Sequence, residues 1–375
     1  MAKTEYNDIS QEEGVVQKAD GGEMNDAGQK DGKKPSKWKY IYIIATVLVI
    51  VLIAFLDPGV KDVVNVLPTI DFTWVLLALG LLLLYWLSDA MILHHITTYV
   101  HGPVNFLKSV RTGILGLYYG ALTPFATGGQ PMQVMYMKRD GVPVGRGTCI
   151  VCIKFFLYEL ALCVFYVVAM VLRGAYFYAN YNQVFWLTTL GFVINFVGLT
   201  FIFLVLVKTE WARRIVNWFI RVLGKIRILK HAEKTMHNVA NTIDDYVEAA
   251  KYIGENKGKI ILSFILSVFN FVCLFSIPYL ICVAFGNGDA EYIELLTLMA
   301  FLYLAVAFMP TPGAAGASEG GFYLFFSRFF SNVFLPMVIW RFLTYYLVLF
   351  VGSIWVVIDE LRTMGRGRKR KKASD

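Results

Sequence analysis

Two strongly apolar stretches of this chain are each broken once by proline and glycine, and the two breaks match. The first reads Leu122-Thr123-Pro124-Phe125-Ala126-Thr127-Gly128-Gly129-Gln130-Pro131, and the second Met309-Pro310-Thr311-Pro312-Gly313-Ala314-Ala315-Gly316-Ala317-Ser318-Glu319-Gly320-Gly321. Aligned on Thr123 and Thr311, 188 positions apart, both read Thr-Pro-x-Ala-x-Gly. Proline and glycine stop a helix and leave backbone donors and acceptors unpaired. In hydrocarbon such a break persists only inside protein or beside a polar cavity. A recurring pair of this kind is the sequence signature of a transporter built from repeated halves.

Composition shows that the surroundings are indeed hydrocarbon. Hydrophobic residues make up 57% of the chain and charged residues 17%, which excludes an ordinary soluble domain. A net charge of +8 raises nucleic acid as a partner. The cations sit beside apolar spans, however, in residues 1–39, in 208–259 and in Arg366-Gly367-Arg368-Lys369-Arg370-Lys371-Lys372. Such runs set topology and meet anionic lipid headgroups, so anionic lipid is the expected partner of the basic face and nucleic acid is not. Residues 1–37 are polar, without an apolar core, and read as a disordered tail rather than a leader. The five cysteines all lie in apolar sequence, and Cys149-x-x-Cys152 reads as two small hydrophobes rather than a redox or metal pair.

A spanning helix needs about 20 apolar residues. Six segments qualify, at 39–56, 72–93, 147–172, 184–207, 259–285 and 333–358. Loops 57–71, 173–183 and 286–291 hold only Lys61 and Arg173 as cations, so the positive-inside rule puts both termini and 208–259 in the cytoplasm. Segment 112–137 then has two cytoplasmic ends, and segment 292–330 has two external ones. The expected architecture is all-α and polytopic, with six full spans and two re-entrant hairpins entering from opposite faces as an inverted repeat. Two short complete spans in each segment give the same sidedness. Between 208 and 258, Trp211, Ile215, Trp218, Phe219, Val222, Leu223 and Ile226 share a face opposite Arg213, Arg214, Asn217, Arg221 and Lys225. That pattern predicts a helix in the headgroup layer or packed on the protein, followed by a second near Ala232–Tyr252.

Ionisable residues within spans usually face a bundle interior or a cavity. These are Asp89, Lys154, Glu159, Glu319 and Arg341. Arg341 lies eight residues into the last span, about 12 Å deep at the helical rise. Its planar guanidinium suits phosphate or carboxylate. Two half-helix N-termini at the breaks add partial positive charge. Together with Arg341 they would bind an anionic headgroup, with hydrogen bonds from Thr123, Thr127, Gln130, Thr311 and Ser318. Gly128, Gly129 and Gly316 supply the close backbone approach. Glu159 and Glu319 would neutralise a cationic part of the headgroup or carry a proton. Asp89 and Lys154 read equally well as an internal ion pair. Gly316-x-Ser318-x-Gly320 matches a nucleophile elbow but has no strand–turn–helix setting and no histidine partner. No Walker A sequence is present, and no metal or cofactor is expected.

On these residues, Thr123-Pro124-x-x-Thr127-Gly128-Gly129-Gln130-Pro131 and Pro310-Thr311-Pro312-Gly313-x-x-Gly316-x-Ser318-Glu319-Gly320, the chain resembles the flippase-like membrane domain of lysylphosphatidylglycerol synthases, the multiple peptide resistance factor family. The resemblance covers about residues 39–360 and leaves out both tails, 1–37 and 361–375. It implies movement of an anionic or aminoacylated phospholipid between leaflets of a bacterial cytoplasmic membrane. The family's soluble aminoacyl-transferase domain follows the membrane domain, whereas this chain reaches Asp375 soon after its last span. Lysine transfer is therefore not expected, and the protein reads as a transporter rather than an enzyme. A lipid-modifying enzyme or its partner subunit, and a transporter of small anions, remain the alternatives. Self-association is left open.

Overall fold

A computed structural model describes residues 67–208, 257–374 and parts of 210–251. The tail 1–37, the first expected span at 39–56 and residues 223–241 lie outside the described residues. All regular structure described is helical. Five helices are long and apolar enough to cross a membrane: Phe72–Val100, Val144–Asn180, Val184–Val207, Lys257–Ala284 and Phe334–Asp359. They coincide with five of the six segments read from hydropathy.

The first, α1 (Phe72–Val100), starts where the Asp71 side chain accepts from the Thr73 amide at 2.9 Å. The next two helices, α2 (Phe106–Leu122) and α3 (Gly129–Arg139), form the first broken segment. α3 folds back along α2 on a seam of small residues. A Cβ on Gly129 would lie 2.8 Å from the Gly116 carbonyl oxygen, and one on Gly116 would run into the Gln133 side chain. Pairing 116 with 133 and 120 with 129 is antiparallel register, so the segment is a hairpin. At about 1.5 Å per residue, 17 and 11 residues reach only about 26 and 17 Å, short of a 30 Å hydrocarbon core.

Two spans follow, α4 (Val144–Asn180) and α5 (Asn182–Val207), then α6 (Lys257–Ala284). The second broken segment comprises α7 (Tyr292–Val306) and α8 (Ala317–Phe326), which again lie side by side, Gly321 against Leu302. The last span is α9 (Phe334–Arg341), one π-helical turn at Phe342–Tyr346, and α10 (Leu347–Ser374). α10 carries the helix straight through the basic segment expected to be a tail.

α1 packs along α6, where the Asn270 side chain donates to the Tyr85 carbonyl and to Ser88 Oγ, both at 2.7 Å. Their shared core is aromatic: Phe271, Phe275 and Phe301 are fully buried. The same pair fixes the sidedness of the hairpins. Asp71, at the start of α1, donates its amide to Ala284 at the end of α6. Beside that end lies the second hairpin's base, where Tyr292 meets Ser276. The first hairpin's base meets the opposite end of α1, where His94 packs on Phe106 and approaches Ser109. The two bases are thus separated by about 33 Å of helix. They enter from opposite ends of one spanning helix, as the cation distribution required.

Of the two amphipathic helices expected, 210–222 is helical where described, with Trp211 and Trp218 exposed. The described part of the second, 242–251, packs on the protein. Ile243, Tyr246, Ala249 and Ala250 are buried, and the Thr242 carbonyl sits where a Cβ on Gly145 would lie.

Candidate functional site

The two hairpin tips touch each other, with Phe125, Ala126, Thr127, Thr311 and Gly316 exposed, and share one backbone fold. Thr123 and Thr311 are extended, at φ −115°, ψ 145° and φ −100°, ψ 144°, because each precedes a proline. Phe125 and Gly313 then enter the left-handed region at φ 54°, ψ 20° and φ 60°, ψ 20°, and Ala126 and Ala314 follow at φ 55° and φ 51°. The turn bonds correspond as well. Ala126 N–H donates to Thr123 O at 3.2 Å and Ala314 N–H to Thr311 O at 2.9 Å, and the next amide in each donates to the proline carbonyl at 3.2 Å. Among the described residues, the three non-glycine residues with positive φ are strained backbone, and all three lie at the tips. The tips diverge after this turn. Gly128 is near-helical, whereas Gly316 takes φ 86°.

Each threonine expected at the site serves its own tip. Thr123 Oγ1 donates to Tyr119 O and accepts from the Gly128 amide, both at 2.8 Å. Thr127 Oγ1 donates to Pro124 O at 3.0 Å and Thr311 Oγ1 to Ala315 O at 3.0 Å. Ser318 is buried, 3.5 Å from the Gly313 carbonyl, and Gln130 is half-buried at the start of α3. α3 and α8 both begin at the tips, so two half-helix N-termini face the meeting point as expected.

Arg341 reaches the second tip from α9. Its Nε donates to Glu319 Oε1 at 2.5 Å and its Nη2 to the Gly313 carbonyl at 2.8 Å. The other carboxylate oxygen, Oε2, accepts from the Gly316 amide at 2.7 Å. Glu319 therefore caps its own helix and neutralises Arg341 at once. The free positive charge expected of Arg341 and of the α8 N-terminus is met from within the protein. A buried guanidinium held by one charged partner and one carbonyl is the arrangement low dielectric favours.

Asp89 and Lys154 do not reach the tips. They form an ion pair between α1 and α4, Nζ to Oδ1 at 2.7 Å, with Asp89 beside Gly113 of the first hairpin. Glu159 also lies apart, farther along α4.

Sequence reasoning missed Tyr345, which touches both tips. Its hydroxyl donates to Ala121 O at 3.3 Å beside the first tip, its ring occupies the space a Cβ on Gly313 would need, and Arg341 lies 4.9 Å over its face. It sits in the π-helical turn, a feature often found at functional sites. Its spacing of four from Arg341 was the available signal, since such residues share a helix face.

Among the described residues, five candidate spans and two opposed broken hairpins meeting at their tips define an all-α polytopic membrane protein. Within that class the chain belongs to the family of the lysylphosphatidylglycerol synthase TM region, which it matches over residues 42–352. It is also 25% identical over 294 residues to a UPF0104 membrane protein of Archaeoglobus fulgidus, covering 76% of this chain and 86% of that relative.

Proposed function

We propose that this protein moves phospholipid between the leaflets of the cytoplasmic membrane and leaves the lipid chemically unchanged. The observation that carries the reading is the contact between two like-folded hairpin tips that enter from opposite ends of α1. Short hairpins meeting midway leave one barrier between the two faces, and parting the tips opens a polar path across it. An anionic or aminoacylated headgroup passes between the tips while its acyl chains remain in lipid. Arg341 takes the phosphate, and Glu319, released from Arg341, takes cationic charge on the headgroup. Both termini face the cytoplasm, where the basic end of α10 lies against anionic lipid.

Purified protein in liposomes carrying a headgroup-labelled phospholipid tests this. A membrane-impermeant quencher reports the fraction in the outer leaflet. The expected result is equilibration several-fold faster than in protein-free vesicles, with every lipid recovered unaltered by mass spectrometry. Equilibration no faster than in empty vesicles removes the reading, and recovery of a modified lipid replaces it with an enzymatic one.

A further inference from the structure

Of Asp89, Lys154, Glu159, Glu319 and Arg341, Glu159 is the one that neither the Lys154–Asp89 nor the Arg341–Glu319 pair uses. It stands 15 residues into α4, about 22 Å along a helix that is about 55 Å long. Its Oε2 is buried and has no hydrogen-bond partner among the described residues. The titratable groups that face it are Tyr158 and Cys163 from α4 itself and Tyr303 from α7. α5, packed along the other side of α4, carries no titratable side chain, and no described lysine or arginine acts on the carboxyl. Buried carboxyl groups inside spans, without a structural partner, mark ion and proton paths. A proton is the smallest ligand that satisfies such an oxygen, since it removes the charge and adds a donor.

The surroundings connect this group to the hairpin that must move. Tyr158 Oη donates to Tyr303 Oη at 3.1 Å, joining α4 to α7. Tyr303 lies within electrostatic reach of both Glu159 and Arg341. A change of charge at Glu159 is therefore felt at Tyr303, on the first helix of the second hairpin. Tyr85 and, beyond it, Asp89 complete the polar cluster on the α1 side.

We propose that Glu159 is a proton-binding site, loaded from water at one face and emptied to the other as the second hairpin moves, so that a proton gradient drives lipid movement. Each cycle takes up one proton and releases one, with no covalent change in protein or lipid. This inference rests on the lipid-moving reading above, and the experiment separates the two.

Wild type and Glu159→Gln are reconstituted with headgroup-labelled phospholipid, and lipid movement is compared with and without an imposed pH gradient. Wild type is expected to respond several-fold to the gradient, and the ratio for Glu159→Gln to fall to about one. An unchanged ratio in the variant, or wild type moving lipid without any response, overturns the inference while leaving the transport reading intact. No lipid movement by wild type under any gradient ends the transport reading instead. Infrared spectra of the purified protein then read the site directly. A carboxylic acid C=O band that titrates in wild type and vanishes in Glu159→Gln is expected, and its absence from wild type refutes proton binding. Should Glu159→Gln fail to fold, Glu159→Asp is expected to shift the pH at which that band titrates. An unshifted band overturns the assignment.

Discussion

Arg341 Nε lies 2.5 Å from Glu319 Oε1, and both side chains are buried, the arginine 5% exposed and the glutamate 0%. The pair joins the last span to the tip of a hairpin that enters from one end of the molecule. At such burial, removing one charge strands the other, which costs about 3–5 kcal/mol, whereas replacing both by apolar residues is far milder. Arg341→Ala and Glu319→Ala are each expected to lower Tm sharply. The double variant Arg341→Met/Glu319→Leu is expected to recover most of that loss and still move no lipid. Thermal unfolding and the leaflet assay, run as a double-mutant cycle, check this. If the double variant transports lipid, the pair only holds the tip together.

The tip contact makes a second prediction, at Gly313. A Cβ there would stand 2.1 Å from Tyr345 Cε2, on a residue at φ 60°. Gly313→Ala must both strain the backbone, at about 1–2 kcal/mol, and push away the ring that also reaches Ala121. Lower Tm and loss of lipid movement are expected. Tyr345→Phe removes only the hydroxyl bond and should cost less than about 1.5 kcal/mol. Equal damage from both would mean that the ring position is irrelevant.

Glycines along the first hairpin separate packing from propensity. Gly129→Ala brings a methyl to within 2.8 Å of the Gly116 carbonyl oxygen, and backbone cannot step aside as a side chain can. A loss of about 1–3 kcal/mol is expected. Gly80→Ala, in α1, meets nothing within 4 Å and should shift stability by less than about 1 kcal/mol, in the stabilising direction. Chemical denaturation of the two variants in the same detergent checks the contrast.

Most of the fold was legible because hydropathy and cation placement act over whole segments. Helix ends moved by up to several residues: α1 runs to Val100 where apolarity alone suggested 93, since its last turns carry polar residues yet still pack. The breaks were legible because proline forces its predecessor to be extended, which Thr123 and Thr311 both obey. What the sequence did not reveal was long-range pairing. Glu319 and Arg341 are 22 positions apart on different helices, and no spacing rule announces that one neutralises the other. Asp89 and Lys154, 65 positions apart, form the internal ion pair that was one of their two readings, although spacing alone did not choose between them. Tyr345 was overlooked although it lies four residues from Arg341, because its contacts with Gly313 and Ala121 join segments far apart in sequence.

Opposite entry of the two hairpins is the relationship on which the transport reading depends most, and chemical labelling tests it in the membrane. Lys138 is exposed at the base of the first hairpin, and Asp289 is exposed just before the second. In a background with the five native cysteines replaced by alanine, Asp289→Cys should react with a membrane-impermeant maleimide on intact cells. Lys138→Cys should react only after permeabilisation, as the positive-inside rule predicts for the cation-bearing end of the hairpin. Labelling of both from the same side would contradict the inverted repeat. Labelling of each from the face opposite to that expected would keep the repeat and reverse the protein. In that case the basic end of α10 would face outward, against the rule that otherwise orients every described span.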